Sequence, residues 1–241
     1  MTCVFRLEYS ISHALNHERR LGRYQMAKTD TAKPGVPHES RFGTQKVDLV
    51  LRGLPGSLLV IHNFNEKAKQ EIRDKQAKVP KAAKEARDPQ VDFLANRYLD
   101  AKGRECVPMT AVKKAFVSAG TAMDDLTKVA LRQAMFCYWP DDPAAVMFPI
   151  ETHDGKPAVG VMREDAVTIG INTRGLAYRP EYPEWQIRVR VEFNPRLISL
   201  GQLLELAKAA GWGVGICEGR PEKTSALGWG RFTVAEHKTV E

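Results

Sequence analysis

Backbone amides left accessible by glycine, set beside cations and tryptophans, can grip a phosphate backbone and stack its bases. The stretch Gly211 to Gly230, GWGVGICEGRPEKTSALGWG, has this combination. Gly211, Gly213 and Gly215 alternate with Trp212, Val214 and Ile216. Read as a strand, one face carries the large side chains and the other is bare. A bare strand face marks close approach by another backbone or by a ligand. Arg220 and Lys223 follow in a polar loop, then a second glycine pair around Trp229, then a strand-like run from Arg231. The alternative is a tight hairpin whose glycines serve only turns.

A second set of cations lies on WQIRVRVEFN, Trp185 to Asn194. Alternation turns Ile187, Val189, Val191 and Phe193 to one side, and Arg188 and Arg190 to the other. Arg174, Tyr178 and Arg179 precede them. Cations interleaved with aromatics suit paired phosphates and stacked bases, and a solvated sheet face is the alternative. Asn65 to Arg87 is rich in lysine but diluted by acids, so it reads as a solvated helix or a flap along a phosphate chain. His62 directly follows the first apolar run, and read from the residues alone it is a structural histidine at a strand end. Asp141, Asp142, Glu151, Asp154, Glu164 and Asp165 show no spacing that singles out a metal pair. No Walker loop, nucleophile elbow or HExxH occurs. The sequence makes no positive case for an enzyme and calls for no cofactor and no metal.

The elements that must position these residues follow from composition and periodicity. The chain has 241 residues, 43% hydrophobic and 27% charged, with net charge +7. That composition is globular, and the charge favours polyanionic partners. No apolar run is long enough for a membrane span, and the N-terminus lacks a secretion signal. Four scattered cysteines without CxxC pairs fit free thiols in a cytoplasmic protein. Residues 1 to 45 read as an extension or linker, and 46 to 241 as one domain. Lys46 to Phe64 begins with the alternation Val47, Leu49, Leu51 of a half-buried strand. About 65 to 135 reads as an inserted helical lobe, packing through Phe93, Leu94, Val112, Phe116 and Leu131. Met147–Ile150, Ala158–Arg163 and Ala166–Ile171 read as short strands. Ser199 to Ala210 reads as a helix with Ser199 as N-cap and Gly211 as its stop.

The last 57 residues thus read strand, helix, strand, turn, strand, which is half of a ferredoxin-like plan with a terminal hairpin. With GWGVGICEGRPEKTSALGWGRFTV, this half resembles the RAMP superfamily, the ferredoxin-like RNA-binding proteins of CRISPR systems. Its loop from Cys217 to Leu227 is longer and more polar than theirs. The region Ile61 to Phe232 also resembles a group of phage and prophage proteins that brings no assigned activity. IHNFNEKAKQEIRDKQ, DPQVDFLANRYLDAKGRECVPMTAVKKAFVSAG and PEWQIRVRVEFN carry that likeness.

The resemblance implies an α+β, ferredoxin-like (RRM/RAMP-like) antiparallel sheet with an inserted helical lobe. It implies non-catalytic binding of single-stranded RNA or DNA, as repeated copies or as a subunit of a larger nucleoprotein complex, away from membranes. The expected contact residues are Arg174, Arg179, Arg188, Arg190, Gly213, Gly215, Arg220, Lys223, Trp229 and Arg231. One alternative the resemblance implies is a metal-independent, repeat-processing endoribonuclease, in which His62 would be the base for the 2′-hydroxyl and Lys67 or Lys69 the cation for the developing phosphorane charge; another is a phage factor that imitates or blocks a CRISPR complex.

Overall fold

The computed structural model describes residues 43–78, 88–124, 126–169, 173–223 and 227–240. The contact pattern divides the chain between Arg41 and Phe42. The expected extension therefore lies almost wholly outside the described residues.

The fold is mixed α+β with antiparallel sheets. Its strands are β1 (Gln45–Gly53), β2 (Leu59–Val60), β3 (Cys106–Pro108), β4 (Met135–Tyr138), β5 (Met147–Pro149), β6 (Val161–Ile169), β7 (Thr173–Tyr182), β8 (Gln186–Phe193) and β9 (Phe232–Val240). Its α-helices are α1 (Phe64–Gln76), α2 (Pro89–Ala95), α3 (Met109–Ala119), α4 (Lys128–Ala134) and α5 (Leu200–Ala209). The main sheet runs β4-β8-β1-β9, with β2-β7-β6 and β3-β5 as smaller sheets.

Alternation in β1 and β8 decides the main sheet. Val47, Leu49 and Leu51 lie opposite Val191, Val189 and Ile187, and all are buried. Helices α3 and α5 close this face with Val112, Phe116, Leu203 and Leu206. Each such side chain stabilises the fold by roughly 1.5–3 kcal/mol. The other face carries Asp48, Arg188, Arg190 and Glu192, all half-buried. Helix α5 begins as its sequence dictates: Ser199 Oγ accepts from the Gln202 amide at 3.2 Å, and Gln202 Oε1 accepts from the Ser199 amide at 3.0 Å.

Four sequence expectations need correction. The second strand of the main sheet in chain order is β4, not the runs from 147 to 171. Those runs form β5 and β6, which pair elsewhere. Strand β7, unread in the sequence, pairs with β6 along its whole length. Apolar and polar residues do not alternate along either strand: β6 and the start of β7 are largely solvated, whereas Tyr178, Arg179, Pro180 and Tyr182 at the end of β7 are buried. The region 65 to 135 contains β3 as well as helices. It buries Phe93, Val112, Phe116 and Leu131, but Leu94 is 43% exposed. The apolar face of α3 belongs to the core of the main sheet, so the lobe is only in part an insertion.

The fourth correction concerns the alternating glycines. Ala210–Val214 is a π-helical turn continuing α5, not a strand, and Gly215 at φ 71° ends it. Gly211 packs against the Phe232 carbonyl, where any Cβ would collide. Close approach to another backbone holds at Gly211, where the partner is the start of β9 and the geometry is helical, but not at Gly213, which meets nothing.

Candidate functional site

The segment after this turn is held firmly. Ile216 N donates to Gly230 O at 2.9 Å, Glu218 N to Val60 O at 3.0 Å, and Gly230 N to Leu58 O at 2.7 Å. Ser57 Oγ donates to Gly228 O at 3.0 Å and accepts from Arg231 N at 2.8 Å. The buried Trp185 lies against Gly53, and its Nε1 donates to Ser57 O at 3.0 Å. Gly230 sits at φ 65° against the Ile216 carbonyl. The glycines thus seat a loop on the β2 segment, and the loop presents Arg220 and Lys223.

Opposite that loop, α3 buries Val112, Ala115 and Phe116, which turns Lys113 and Lys114 outward. Helix α4 is capped by Thr127, whose Oγ1 accepts from Ala130 N at 3.1 Å, and buries Leu131 and Ala134. Lys128 and Arg132, one turn apart, stay exposed. Lys113, Lys114, Lys128, Arg132, Arg220 and Lys223 line one groove of about 450 Å³, in which Glu222 is the single carboxylate among the described residues. Glu222 accepts from Ser118 Oγ, and from Arg220 Nε at 3.3 Å. The Ser118 hydrogen bond, followed by Arg220, holds its carboxyl below the ordinary value. Among the described residues no carboxylate pairs with Lys114, Lys128, Arg132 or Lys223. Lys113 Nζ lies 4.3 Å from the ring centre of Phe136, an exposed aromatic on edge strand β4. Cations in excess of the carboxylates around them, beside an exposed ring, attract phosphates and offer a base a stacking surface.

A smaller cavity, about 270 Å³, adjoins the groove and shares Thr110, Lys114, Arg220 and Glu222 with it. His62, Tyr98, Gly215 and Glu218 also line it. Burial pushes the Cys217 thiol in its wall up to about 12, so it holds no thiolate at neutral pH.

The other sequence candidates are placed differently. Arg188 is bound by Asp141, at 3.1 and 2.6 Å, and by Glu151 at 3.0 Å. Arg190 is bound by Asp48. Their charge is compensated on the face away from the helices. Arg179 is 8% exposed, 3.2 Å from Asp165 and 3.5 Å from Glu218. Arg174 is exposed on β7. Trp229 is half-buried beneath Arg163, whose Cζ lies 4.6 Å from its ring centre, and against Gly219. Arg231 covers the exposed Trp212 at 4.2 Å. Gly213 faces open space. Arg188 and Arg190 line a different cleft, with Asp48 and Asp141, from the groove that holds Arg220 and Lys223. Of the cations proposed beside His62, Lys69 is exposed on α1, and the Lys67 side chain lies outside the described set. Of the carboxylate candidates, Asp141 and Glu151 serve Arg188, Asp165 serves Arg163 and Arg179, Asp154 pairs with Lys156, and Asp142 accepts from Ala144 N in a turn at 3.0 Å. No cluster that could hold a metal occurs among the described residues.

The sequence reading missed Lys113, Lys114, Lys128 and Arg132. Their signal was present: a Lys-Lys pair on the polar side of an amphipathic helix, then Lys and Arg four apart on the next. No protein-family profile matches this chain, and no curated protein sequence matches it. No helix among the described residues is long and apolar enough to cross a membrane.

Proposed function

We propose that the protein binds single-stranded nucleic acid without catalysis, along the groove between α3, α4 and the Arg220–Lys223 turn. The observation that carries this reading is the six cations gathered from three segments around one carboxylate. A ferredoxin-like, RAMP-like architecture is part of the proposal. Numbered by chain order within the main sheet, its strands run four-one-three-two from the β9 edge, and α3 and α5 share one face. In this reading copies of the protein coat RNA or DNA in a CRISPR-like or phage setting. The open sheet face takes no part, because its arginines are already paired.

The test is purification without nuclease, followed by RNase or DNase digestion of any copurified polymer. Titration of fluorescent RNA and DNA strands at several salt concentrations completes it. Binding that weakens with salt, by about 0.7 log units per log unit of salt for each phosphate held, is the expected result. Salt-independent or absent binding to both polymers overturns it and leaves a protein-interaction role as the better account of the charge.

A second reading rests on one observation: His62 lines the same cavity as Lys114 and Arg220, a base beside cations. Metal-independent RNA cleavage in chelator, lost in His62→Ala, is its signature.

A further inference from the structure

We infer that the cavity beside the groove is a base pocket, which takes one unstacked base of the bound strand and favours bases bearing an exocyclic amino group. This rests on the groove reading above and adds a specificity to it. The two spaces share Thr110, Lys114, Arg220 and Glu222, so a strand whose phosphates lie on Lys114 and Arg220 brings a base to the cavity mouth. At about 270 Å³ the cavity is smaller than drug-sized ligand pockets, which start near ~300 Å³, and suits one heteroaromatic ring. Its lining has the two parts such a ring needs. Ile61, Ala111, Ala115, Val214 and Ile216 give an apolar lining, and Tyr98 adds an aromatic. Glu218 and Glu222 supply carboxylates.

The carboxylates differ in what they have left to accept. Both oxygens of Glu222 are engaged, by Ser118 and by Arg220. Glu218 is paired among the described residues only with Arg179, through Oε2 at 3.5 Å. Its remaining acceptor capacity matches an amino group, the donor that a carboxylate accepts from cytosine N4. Thymine and uracil carry a carbonyl at that position, which would meet Glu218 acceptor to acceptor.

The backbone around the cavity is unusual on its own account. Ala210–Val214 is a π-helical turn, and Cys217 adopts φ 62° without being glycine. Both features cost stability and concentrate at functional sites. Here they bring Val214, Gly215, Ile216, Cys217 and Glu218 into one wall.

The probes are short homopolymers of deoxycytidine, deoxyadenosine and thymidine, with a wholly abasic strand of equal length. Each is titrated at several salt concentrations against wild type, Ala111→Phe and Glu218→Gln. Ala111→Phe fills the cavity without removing a cation. Wild type should bind the cytidine and adenosine strands about tenfold more tightly than the thymidine strand. The thymidine strand should in turn exceed the abasic one by less than that. Both variants should lose the preference and keep the wild-type salt slope. Equal wild-type binding of all three homopolymers, with a normal salt slope, overturns the pocket and leaves the groove standing. Loss of salt-dependent binding to every strand removes the groove and the pocket together. The homopolymer comparison uses wild type alone, so it decides the matter even where a variant melts early.

Discussion

Arg190 reaches across the main sheet to Asp48 on the neighbouring strand, Nε 2.5 Å from Oδ1 and Nη2 2.6 Å from Oδ2. The fork-to-fork geometry uses the guanidinium face that a phosphate would need. Arg188 is held in the same way by Asp141 and Glu151. A row of arginines on a strand is therefore not in itself a site for anions. What matters is where the nearest carboxylates fold.

Replacing Arg188 and Arg190 together with alanine should leave the salt slope of strand binding unchanged. Each lost pair should lower stability by no more than about 1 kcal/mol, since these side chains are partly solvated. Titrations at several salt concentrations beside urea denaturation check both statements.

Lys114→Ala and Arg132→Ala should behave oppositely. Each should reduce the log–log salt slope by about 0.7 if its cation holds one phosphate. Stability should stay within about 0.5 kcal/mol of wild type, because both side chains are exposed. A preserved slope in the double variant would move the binding path elsewhere.

The glycines should divide into two classes. Gly230→Ala forces a Cβ into the Ile216 carbonyl at φ 65°, and should cost about 3 kcal/mol or more. Gly213→Ala meets nothing within 4 Å in a helical turn, and should be neutral or stabilising by up to about 1 kcal/mol. Equilibrium unfolding of the two variants separates backbone contact from ligand contact as the reason for these glycines.

Trp229→Ala should act on stability rather than on binding. The ring lies between Arg163 and the Gly219 backbone, so its removal should cost roughly 1–3 kcal/mol. The salt slope should not move. A normal melting curve with weakened binding would instead make Trp229 a stacking platform.

Tyr182 provides the pH dependence. Its hydroxyl donates to Glu105 Oε2 at 2.6 Å, and burial, then this bond, pushes the phenol above its ordinary value. Folding therefore favours the protonated phenol. The stability this contributes is present below the unfolded phenol value, about 10, and is lost as pH rises beyond it. Tyr182→Phe should cost about 1–3 kcal/mol at neutral pH, since Glu105 loses a donor. The gap to wild type should narrow above the phenol range, in urea unfolding followed across that range.

Local signals in the chain were enough for the elements whose side chains alternate or cap in the pattern their own backbone requires. Strands β1 and β8 were legible from Val47, Leu49, Leu51 and from Ile187 to Phe193, and α5 from Ser199. These are local signals, and tertiary contacts only reinforced them. The close approach of another backbone at Gly211 was also legible, though Gly213 in the same run meets nothing. The conformation of the run was not, because a glycine lining up with a neighbouring carbonyl fits a π-turn as well as a strand. Which cations find a carboxylate far along the chain depended on folding. Arg179, Arg188 and Arg190 met Asp165, Glu218, Asp141, Glu151 and Asp48, carboxylates distant in the chain. Lys113, Lys114, Lys128 and Arg132 met Arg220 and Lys223 across a groove. An ion pair forms between groups that folding brings within a few ångströms, and one-dimensional order does not record that distance.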